Sequence, residues 1–548
     1  MRIKQVLARE IGDALDADVT AVDIEQPPNR EQGDYALPLM GVVDDPRAAA
    51  EQVQEDIEAL AVVDRVEVAG PGYLNVFLDR QQFAAEVAEM LSTETMGVEQ
   101  QDGSVLLEFS SPNVAKPMHV GHFRNNALGD ALQRILRFVG YDVTSDNWLG
   151  DWGTQYGKLI YAFKKYGSRE EFEAAPMEHM FDLYVRFHEE LEDDEKLEEK
   201  GREWAQRIEA GDEEAVALWE MFRDASIDHH RSDYERMGIE FDRWTGESRY
   251  VDAADTVLED GLQQGVFEEE EDGSIAIEFE DEDLPSIVVQ KADGTSLYLT
   301  RDLATIRARV VEEGFDHTLY VVGAEQELHF RQLFAAADRL GIDTSGCEHI
   351  SYGLLNLPEG GMSSREGRII RLSDMLDEAV AKAEEKLAEE GKDLDVASAV
   401  GIGAAKYANL KVTRQKEIEF DWDRVLSFEG DAGPYLQYAN TRAKSILSKA
   451  DTAGDIQGAV ADEEHALVTE LAAFPEHVET AAAQRDPATL ANYLAQLCET
   501  FNTFYHSKRV LDAGSTEAVQ RRLRLVELFR DVTDQGLALL GIEPLEEM

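Results

Sequence analysis

A strand, a loop and a helix follow one another early in the chain, and this succession constrains the fold more than any other feature. Val105–Phe109 is apolar apart from Glu108, as is typical of a strand buried inside a parallel sheet. Two prolines mark the loop that follows, and Gly121–Val139 has the periodicity of a helix that ends at Gly140. With a further strand at residues 141–144, this order predicts a parallel α/β domain of the nucleotide-binding type.

The remaining patterns divide the chain into three parts. We expect a small α/β domain over residues 1–95, a parallel α/β domain over 96–395 and an almost entirely helical domain over 396–548. Residues 155–285 are acidic and mostly helical in pattern, so we expect them to be an insertion in the second domain. Short apolar runs predict that the α/β pattern then resumes as strands at 287–290, 297–299, 318–322 and 350–355.

Composition excludes several classes of protein. Hydrophobic residues make up 43% of the 548 residues, enough to bury several cores, so the chain is not disordered. No run of about 18 apolar residues predicts a membrane span, and the first residues lack the apolar core of a signal peptide. Cys347 and Cys498 suggest neither a disulfide framework nor a zinc site, and the histidines lack metal-binding spacing. We expect a soluble cytoplasmic protein without a metal site of its own.

The net charge of −60 is the most unusual number in the composition. It argues against nucleic-acid binding, because neutralising phosphates requires lysine and arginine. Alternatively, an acid-rich, lysine-poor chain is typical of salt-loving organisms, in which concentrated salt screens repulsion between carboxylates. The acid excess lapses twice: residues 401–450 contain 8 bases and 6 acids, and residues 501–530 contain 6 bases and 3 acids. These two segments are the candidates for a nucleic-acid-binding surface.

The loop and helix start at Ser110–His122 contain the strongest chemical motif of the chain. His119 and His122 are three residues apart at the start of a helix, so both side chains face the same direction. Free backbone N–H groups and the helix dipole favour an anion there, and Lys116 adds a nearby cation. Gly121 leaves room for a flat ring to approach the backbone. Together these features predict a site for a triphosphate and an adenine ring.

His119-Val120-Gly121-His122 resembles the HIGH signature of class I aminoacyl-tRNA synthetases. The string from Glu108 through Arg124 and Gly129-Asp130, with Leu149–Gln155, resembles the arginyl-tRNA synthetase family in particular. The resemblance continues in order along the chain at Phe241-Asp242 to Gly246-Glu247-Ser248, Lys291–Gly294 to Asp302, Val321–Phe330, Phe428–Asp431 to Tyr438, and the helix ending at Met548. It implies an α/β Rossmann-type catalytic domain with a helical insertion, a small α/β N-terminal domain that contacts tRNA, and an all-α C-terminal anticodon-binding bundle. With the acid-rich composition, it points to a halophilic archaeal member of the family.

This resemblance implies an arginine–tRNA ligase. Such an enzyme joins L-arginine to ATP as arginyl-adenylate, releases pyrophosphate, and transfers the arginine to the 3′ end of tRNA(Arg). Lys116, His119 and His122 are implied to act on the phosphates electrostatically, while His119, Gly121 and His122 bind ATP. Mg²⁺ is expected to arrive with ATP rather than in a protein cage. From the family we also expect a monomer that requires bound tRNA even for the first step.

A second class I signature, KMSKS, supplies lysines that stabilise the leaving pyrophosphate. The corresponding stretch here is Gly361-Met362-Ser363-Ser364-Arg365, which lacks both lysines. The resemblance implies ATP contact for Met362 and catalytic roles for Ser363, Ser364 and Arg365. It also implies that Lys116 compensates for the missing lysines, with Arg365 as a partial substitute because guanidinium binds phosphate. The degenerate stretch leaves open a plain Ser/Gly turn and a non-catalytic tRNA-binding relative. A class I synthetase for another amino acid is a separate alternative.

Arginine is a planar cation with five N–H donors, so its pocket needs acceptors and carboxylates. The resemblance assigns this role to Glu108, Asn113, His119, Tyr298, Asp302 and Gln326. From the residues alone, Glu108 is alternatively the partner of a helix dipole or a lysine, and Tyr298 is alternatively a half-buried core aromatic. His229 and His230 are interpreted as a surface pair on a helix, and His329 as a support of the pocket.

Aromatic and basic residues alternate in the C-terminal third, as expected where anticodon bases stack on rings and phosphates meet cations. The alternative, the core of a helical bundle, is expected for at least half of these aromatics, which include Phe504. The resemblance assigns anticodon contact to Tyr505 and Met548. The predicted tRNA-binding residues are Tyr435, Tyr438, Tyr505, Lys508, Arg509 and Met548.

Overall fold

The structure is a computed structural model, and it describes residues 2–548 apart from residues 28, 280–283, 293, 295–296, 357–369 and 451–453. Its strands are β1 (Tyr35–Pro38), β2 (Val63–Ala69), β3 (Tyr73–Leu78), β4 (Ser104–Phe109), β5 (Asp142–Leu149), β6 (Arg243–Gly246), β7 (Glu268–Glu269), β8 (Ile275–Ile277), β9 (Ile287–Gln290), β10 (His317–Gly323), β11 (Cys347–Tyr352), β12 (Leu355–Asn356) and β13 (Ile418–Glu419). Its helices are α1 (Ile3–Leu15), α2 (Pro46–Glu58), α3 (Arg80–Leu91), α4 (Val120–Phe138), α5 (Thr154–Tyr166), α6 (Arg169–Ala174), α7 (Pro176–Asp193), α8 (Lys196–Glu209), α9 (Glu213–Met237), α10 (Val251–Gln264), α11 (Tyr298–Arg307), α12 (Glu327–Arg339), α13 (Leu372–Glu389), α14 (Ala397–Leu410), α15 (Trp422–Val425), α16 (Gly433–Leu447), α17 (Asp462–Ala472), α18 (Phe474–Gln484), α19 (Ala488–Ser507) and α20 (Thr516–Leu539).

Five parallel strands form the central sheet, in the order β11-β10-β4-β5-β6. The first of them in the chain, β4, lies in the middle, with the next two on one side and the last two on the other. This Rossmann-type order creates a crevice at the carboxyl ends of β4 and β10, where the strand order reverses. Residues 105–109 of β4, including Glu108, are buried, so the apolar run predicted to be a strand is the centre of the sheet.

Helix α4 follows β4 and begins at the carboxyl edge of the sheet. Its residue Gly129 faces β4 so closely that a Cβ atom there would lie 2.2 Å from the ring of Phe109. A glycine is therefore required for this close packing, since any side chain would push the helix away from the strand. The contact fixes the N-terminus of α4 at the crevice.

The N-terminal region contains an antiparallel sheet of order β1-β3-β2 together with helices α1–α3. Polar contacts attach it to the C-terminal helices: the Nε2 atom of buried His465 lies 2.7 Å from the Asp34 carboxyl group, and Arg80 forms an ion pair with Asp462 at 2.7 Å. From α13 onward, the described elements are helices apart from β13, so the C-terminal third is an all-α bundle, as predicted. Among the described helices, none has the length and apolar composition needed to cross a membrane.

Two strands expected in the middle of the chain need correction. Ile287–Gln290 is a strand, but it pairs with β8 in a separate antiparallel sheet instead of joining the central one. Residues 297–299 form no strand, because Tyr298 begins helix α11. Strand β6 lies inside the region expected to be a helical insertion and pairs with β5 at the edge of the central sheet. Runs of three or four apolar residues fit a strand or a helix, so local pattern does not separate these outcomes.

Candidate functional site

His119 and His122 meet at the N-terminus of α4. His119 precedes the first turn, and its Nδ1 atom accepts a hydrogen bond from the backbone N–H of Gly121 at 3.1 Å. The Nδ1 atom of His122 accepts in turn from the backbone N–H of His119 at 3.1 Å. The ring centroids lie 4.1 Å apart, so the two side chains together cap the helix.

These hydrogen bonds fix the protonation of both imidazoles. A ring nitrogen that accepts a hydrogen bond carries no proton, so each neutral ring has its proton on Nε2. Burial lowers the pKa of His119, and it lowers the pKa of His122 to about 3, with His119 and His230 adding to the effect on His122. The site therefore presents two neutral N–H donors at a helix N-terminus, an arrangement suited to phosphate oxygens.

The loop between β4 and α4 is held in an uncommon backbone conformation. Ser110, Ser111 and Ala115 have φ values of 76°, 51° and 64°, a region that residues other than glycine rarely adopt. Each such residue costs about 1–3 kcal/mol and persists only where its surroundings enforce it. Buried hydrogen bonds provide that enforcement, since the N–H of Ala115 donates to Ser226 Oγ at 2.9 Å and the N–H of Ser110 donates to Asn125 Oδ1. The loop is thus shaped before any ligand binds.

Lys116 reaches from this loop to the helical region that follows β5. Its Nζ atom lies 4.3 Å from the ring centroid of Tyr184 on α7, within the range of a cation–π contact. Nearly one turn earlier on α7, the ring centroid of Phe181 lies 5.7 Å from the guanidinium of Arg371. Helix α7 thus offers two aromatic rings to two cations near the histidine pair. Sequence reasoning missed Tyr184, because a single tyrosine in an acidic amphipathic helix has no distinctive pattern.

The chain returns to the histidine pair just after the stretch that resembles the second signature. The backbone N–H of Val120 donates to the carbonyl of Ile370 at 3.1 Å, and that of Leu372 donates to the carbonyl of Met118 at 2.9 Å. The signature residues Gly361, Met362, Ser363, Ser364 and Arg365 lie outside the described residues. The segment from Ile370 onward is therefore attached to the start of α4.

Glu108 lies in a row of polar side chains across the central sheet. It is in register with Tyr320 of β10 on one side and with Asp146 of β5 on the other. The guanidinium of Arg309 forms an ion pair with Glu108 at 2.6 Å and donates a hydrogen bond to Asp146 at 3.1 Å. Burial raises the pKa of Glu108 to about 7; Arg309 opposes this shift, whereas Asp146 and Asp302 add to it. The internal partner of Glu108 is therefore an arginine that sequence reasoning missed, rather than a lysine or a helix dipole.

Tyr298 and Asp302 lie one turn apart on α11. Tyr298 is 66% exposed, so it is not the half-buried core aromatic considered from the sequence. Asp302 is close enough to Glu108 to raise the pKa of Glu108, and its Oδ2 atom lies 2.8 Å from His329 Nε2 on α12. The structure therefore brings Asp302 close to Glu108, with Tyr298 one turn away on the same helix and His329 in contact with the Asp302 carboxyl group.

Gln326 and Asn113 lie at the same edge of the sheet as Glu108, in the segments that follow β10 and β4. Both side chains are exposed. Asn113 bridges to Gly150, the residue after β5, and a Cβ atom on Gly150 would lie 2.7 Å from Asn113 Oδ1. A side chain at position 150 would therefore displace the Asn113 amide from the position that it has here.

Arg442 connects the three tyrosines that the sequence predicts to bind tRNA. Its guanidinium lies 4.7 Å from the ring centroid of Tyr438 and 5.2 Å from that of Tyr505. Its Nη1 atom donates to Asn502 Oδ1 at 2.6 Å, and the Asn502 amide donates to Tyr435 Oη at 2.8 Å. We call Tyr435, Tyr438, Arg442, Asn502 and Tyr505 the tyrosine cluster, which joins α16 to α19.

Lys392 adds a second cation to the tyrosine cluster, since its Nζ atom lies 3.9 Å from the ring centroid of Tyr438. Sequence reasoning missed it because it follows α13, outside the two segments in which the acid excess lapses. Phe504, in contrast, is fully buried and belongs to the core of the bundle.

The other predicted tRNA-binding residues occupy different surroundings. Lys508, at the end of α19, forms an ion pair with Glu463 at 2.8 Å. Arg509 is exposed. Met548 is half-buried and packs against the hydrophobic core. Among the described residues, no hydrogen bond, ion pair or cation–π contact joins these three to the tyrosine cluster.

Several bases of the two low-acid segments serve the interior of the protein. Lys406 is buried, with its Nζ atom 3.4 Å from the Asp130 carboxylate. Arg521 and Arg522 both pair with the buried Glu464, at 3.0 and 2.6 Å. The count of bases therefore overstates the cations available to a ligand, and the tyrosine cluster locates a candidate surface more closely than the charge balance does.

The expected surface pair at His229-His230 is wrong for His230, which is fully buried. His230 lies on α9, and its neighbours Ser226 and Tyr234 form hydrogen bonds with the loop after β4. Helix α9 therefore supports the binding loop, a packing partner that a pair of adjacent histidines does not reveal. His230 also helps to lower the pKa of His122.

Sequence profiles of known families match most of the chain. Residues 86–422 match the profile described as tRNA synthetases class I (R), catalytic domain. Residues 436–548 match the DALR anticodon binding domain, and residues 1–78 match the arginyl tRNA synthetase N terminal domain.

Full-length relatives carry the same description. An arginine–tRNA ligase of Clostridium acetobutylicum is 38% identical over 569 residues, covering 100% of both chains. One from an Exiguobacterium species is 40% identical over 559 residues, covering 99% of both. The solved arginyl-tRNA synthetase of Thermus thermophilus has a TM-score of 0.82 at 26% identity, again over 100% of both chains. These relatives are bacterial and give no support to the archaeal type expected from the composition.

Nitrogen-15 NMR of the histidine side chains tests the protonation assigned to the site. His122 is expected to remain neutral down to about pH 5, with its proton on Nε2, because burial lowers its pKa to about 3. His119 is expected to titrate below the ordinary histidine value of 6.5. The variants His119→Asn and His122→Asn assign the signals, and an Nδ1–H tautomer or an unshifted titration at either residue would contradict the geometry.

Proposed function

The chain belongs to the arginyl-tRNA synthetases, and we propose that it activates L-arginine with ATP in the crevice at the carboxyl ends of β4 and β10. It is an arginine–tRNA ligase, in keeping with its full-length similarity to enzymes of that name. The observation that carries the site assignment is the pair of Nε2–H donors at the start of α4, which follows β4 and its residue Glu108, together with the proximity of Asp302 to Glu108. One end of the crevice suits phosphates and the other suits a guanidinium.

His119 and His122 are proposed to stabilise the phosphates during adenylate formation. An oxygen of the arginine carboxylate attacks the α-phosphorus of ATP, the bond to the bridging oxygen breaks, and pyrophosphate leaves with that electron pair. Both rings are neutral donors, so they stabilise the developing negative charge and transfer no proton. Gly121 lets the adenine ring approach the backbone at the helix start.

Lys116 is proposed to neutralise the β- and γ-phosphates in place of the lysines missing from the second signature. Its contact with the Tyr184 ring is of a kind that contributes about 0.5–1 kcal/mol at an exposed site, so a phosphate displaces it readily. The other residues proposed to act on ATP and pyrophosphate, all outside the described residues, are Met362, Ser363, Ser364 and Arg365.

The guanidinium of the substrate is proposed to lie between Glu108 and Asp302. Two carboxylates form charge-assisted hydrogen bonds with a planar donor fork and disfavour neutral side chains of similar shape. The residues proposed to complete the pocket are Asn113, His119, Tyr298 and Gln326.

Magnesium is proposed to enter with ATP, held by phosphate oxygens and water. Among the residues that the structure describes, no group of three or more histidine, cysteine, aspartate or glutamate side chains is arranged to hold a metal ion. The carboxylates nearest the crevice are already engaged, Glu108 with Arg309 and Asp302 with His329. This setting fits a cation that depends on substrate phosphates, as Mg²⁺ commonly does.

The tRNA is proposed to run along all three parts of the chain. The N-terminal domain (1–95) contacts the body of the tRNA, the catalytic domain (96–395) holds its 3′ end, and the C-terminal domain (396–548) binds the anticodon. The tyrosine cluster supplies ring faces for stacking of unpaired bases. The remaining proposed contacts are Lys508, Arg509 and Met548.

We attribute the net charge of −60 to a saline cytoplasm in which the protein works as a monomer. At molar salt the Debye length falls to about 3 Å, so dispersed carboxylates repel one another little. The charge then describes the solvent, and tRNA binding depends on the few surfaces where aromatic rings and cations lie together.

Charging of tRNA(Arg) with labelled L-arginine, at low and at molar potassium chloride, tests the proposed function. We expect ATP-dependent charging that is specific for arginine and that persists at molar salt, because screening relieves carboxylate repulsion. Charging with another amino acid and none with arginine would overturn the assignment. Loss of charging at molar salt would overturn only the proposed adaptation to salt.

Lys116→Ala is expected to slow adenylate formation by about 100-fold or more, because the leaving pyrophosphate loses an opposing charge. Lys116→Arg, which keeps the charge, is expected to retain more activity. Lys158→Ala is the matched control, since Lys158 also lies near a ring of α7, 6.0 Å from Phe187, but pairs with Glu198. Single-turnover adenylate formation in the presence of tRNA measures the effect, and an unchanged rate in Lys116→Ala would refute the role.

Tyr505→Ala is expected to raise the KM for tRNA by about tenfold, because a stacked base contributes about 1–3 kcal/mol. Thr503→Ala is the control, since Thr503 is exposed on the same helix and lies outside the tyrosine cluster. The KM values for arginine and ATP are expected to stay unchanged. An equal effect of both substitutions on the KM for tRNA would contradict the stacking role.

A further inference from the structure

Arg309 is a fully buried arginine directly beneath the proposed arginine pocket. It lies on a π-helical turn over Ala308–Glu312 that continues helix α11. Such turns are rare and occur frequently at functional sites. Helix α11 also carries Tyr298 and Asp302. A contact made by Arg309 therefore helps to position the helix that carries these two proposed pocket residues.

The contacts of Arg309 reach across neighbouring strands of the central sheet. Its Nη1 atom lies 2.6 Å from Glu108 Oε2 on β4, and its Nη2 atom donates to Asp146 Oδ2 on β5 at 3.1 Å. Aromatic rings surround the same guanidinium, with the centroids of Trp148 at 5.1 Å and Tyr320 at 5.4 Å. The guanidinium is therefore held by charge and by ring contacts together.

We propose that Arg309 is a positioning residue for substrate arginine: it holds the Glu108 carboxylate charged and oriented, so that the free oxygen of that carboxylate receives the substrate guanidinium. This inference rests on the proposed function, in which Glu108 contacts the substrate. Arg309 itself touches the reaction only through Glu108 and through the helix that carries Asp302.

The geometry leaves one Glu108 oxygen for a ligand. Arg309 contacts Oε2, and among the described residues the Oε1 atom has no hydrogen-bond or ion-pair partner. The Glu108 side chain is still 8% exposed, whereas those of Arg309 and Asp146 are completely buried. Of these three side chains, only that of Glu108 therefore retains any exposure to solvent.

A fixed cation is needed here because Glu108 is surrounded by groups that oppose its charge. Burial raises its pKa to about 7, and the carboxylates of Asp146 and Asp302 add to the shift, whereas Arg309 lowers it. A protonated Glu108 would lose its negative charge and present an O–H donor to a guanidinium, which has only donors. Arginine suits the task better than lysine, since its planar fork reaches two carboxylates from two nitrogens.

Arg243 provides a matched control within the same charged row. It approaches Asp146 Oδ2 at 3.1 Å, as Arg309 does, but its second partner is Glu313 at 2.6 Å. Among the described contacts, none joins Arg243 to Glu108. Removing either arginine therefore leaves Asp146 with one fewer cation, while only the loss of Arg309 removes a direct contact to Glu108.

Steady-state aminoacylation of Arg309→Met, Arg309→Lys and Arg243→Met tests the inference. Arg309→Met is expected to raise the KM for arginine about tenfold or more and to leave the KM for ATP within about twofold, because one charge-assisted contact to the guanidinium weakens. Arg309→Lys is expected to lie between the parent and Arg309→Met. Arg243→Met is expected to leave both KM values within about twofold of the parent.

The pH profile separates positioning from a purely structural role. In the parent, kcat/KM for arginine is expected to fall as the pH drops below about 7, because Glu108 takes up a proton there. In Arg309→Met this fall in kcat/KM is expected at a higher pH, because the cation that favours the ionised form of Glu108 is gone. In Glu108→Gln the fall in kcat/KM at low pH is expected to disappear. The double variant with Arg309→Met is expected to have the same KM for arginine as Glu108→Gln alone.

The outcomes distinguish this inference from the proposed function beneath it. If Glu108→Gln leaves the KM for arginine unchanged, Glu108 is not in the substrate pocket and the proposed site is wrong. Glu108→Gln could instead raise the KM for arginine while Arg309→Met changes neither this KM nor the pH at which kcat/KM falls. In that case only the positioning role of Arg309 is wrong. Thermal melting checks that each variant is folded. If Arg309→Met does not fold, Arg309→Lys replaces it. An Arg309→Lys variant with an unchanged pH profile and an unchanged KM for arginine would overturn the inference.

Discussion

The ion pair between Glu108 and Arg309 underlies the arrangement of the whole crevice. A carboxylate in the central strand of a parallel sheet is costly unless a cation and hydrogen bonds accompany it. Arg309 provides that cation and lies on the turn that continues α11. The contact that favours the charged form of Glu108 therefore also attaches the helix of Tyr298 and Asp302 to the sheet. This one long-range ion pair thus influences the charge of Glu108 and the position of Tyr298 and Asp302, the residues proposed to line the arginine pocket.

The two ends of the crevice are proposed to bind groups of opposite charge, and each end uses a different kind of side chain. The proposed phosphate end has neutral groups, the Nε2–H donors of His119 and His122 and the free amides of α4, which suit anions without a buried charge. The proposed arginine end uses the carboxyl groups of Glu108 and Asp302, which contact Arg309 and His329 respectively. The strained loop after β4 connects the two ends, and its left-handed residues fix their separation before substrates bind.

Sequence patterns predict the contiguous parts of this site and miss its long-range partners. Strand β4, helix α4 and the pair of His119 and His122 follow one another directly, so periodicity and spacing suffice. Arg309 and Tyr184 reach the site only through sheet pairing and helix packing between distant segments, and one arginine or tyrosine in a helix has no signature. Residues 297–299 show a further limit, since three residues fit a strand or a helix until the packing of α11 decides.

Proton release on arginine binding tests most directly whether Glu108 receives the guanidinium as a carboxylate. Burial raises the pKa of Glu108 to about 7, so at that pH about half of the free protein carries a proton there. Calorimetric titration with L-arginine, repeated in buffers of different ionisation enthalpy, counts the protons released. We predict release of about half a proton per arginine near pH 7, falling toward zero at higher pH and absent in Glu108→Gln. Binding without proton release near pH 7, or equal release in Glu108→Gln, would contradict the account.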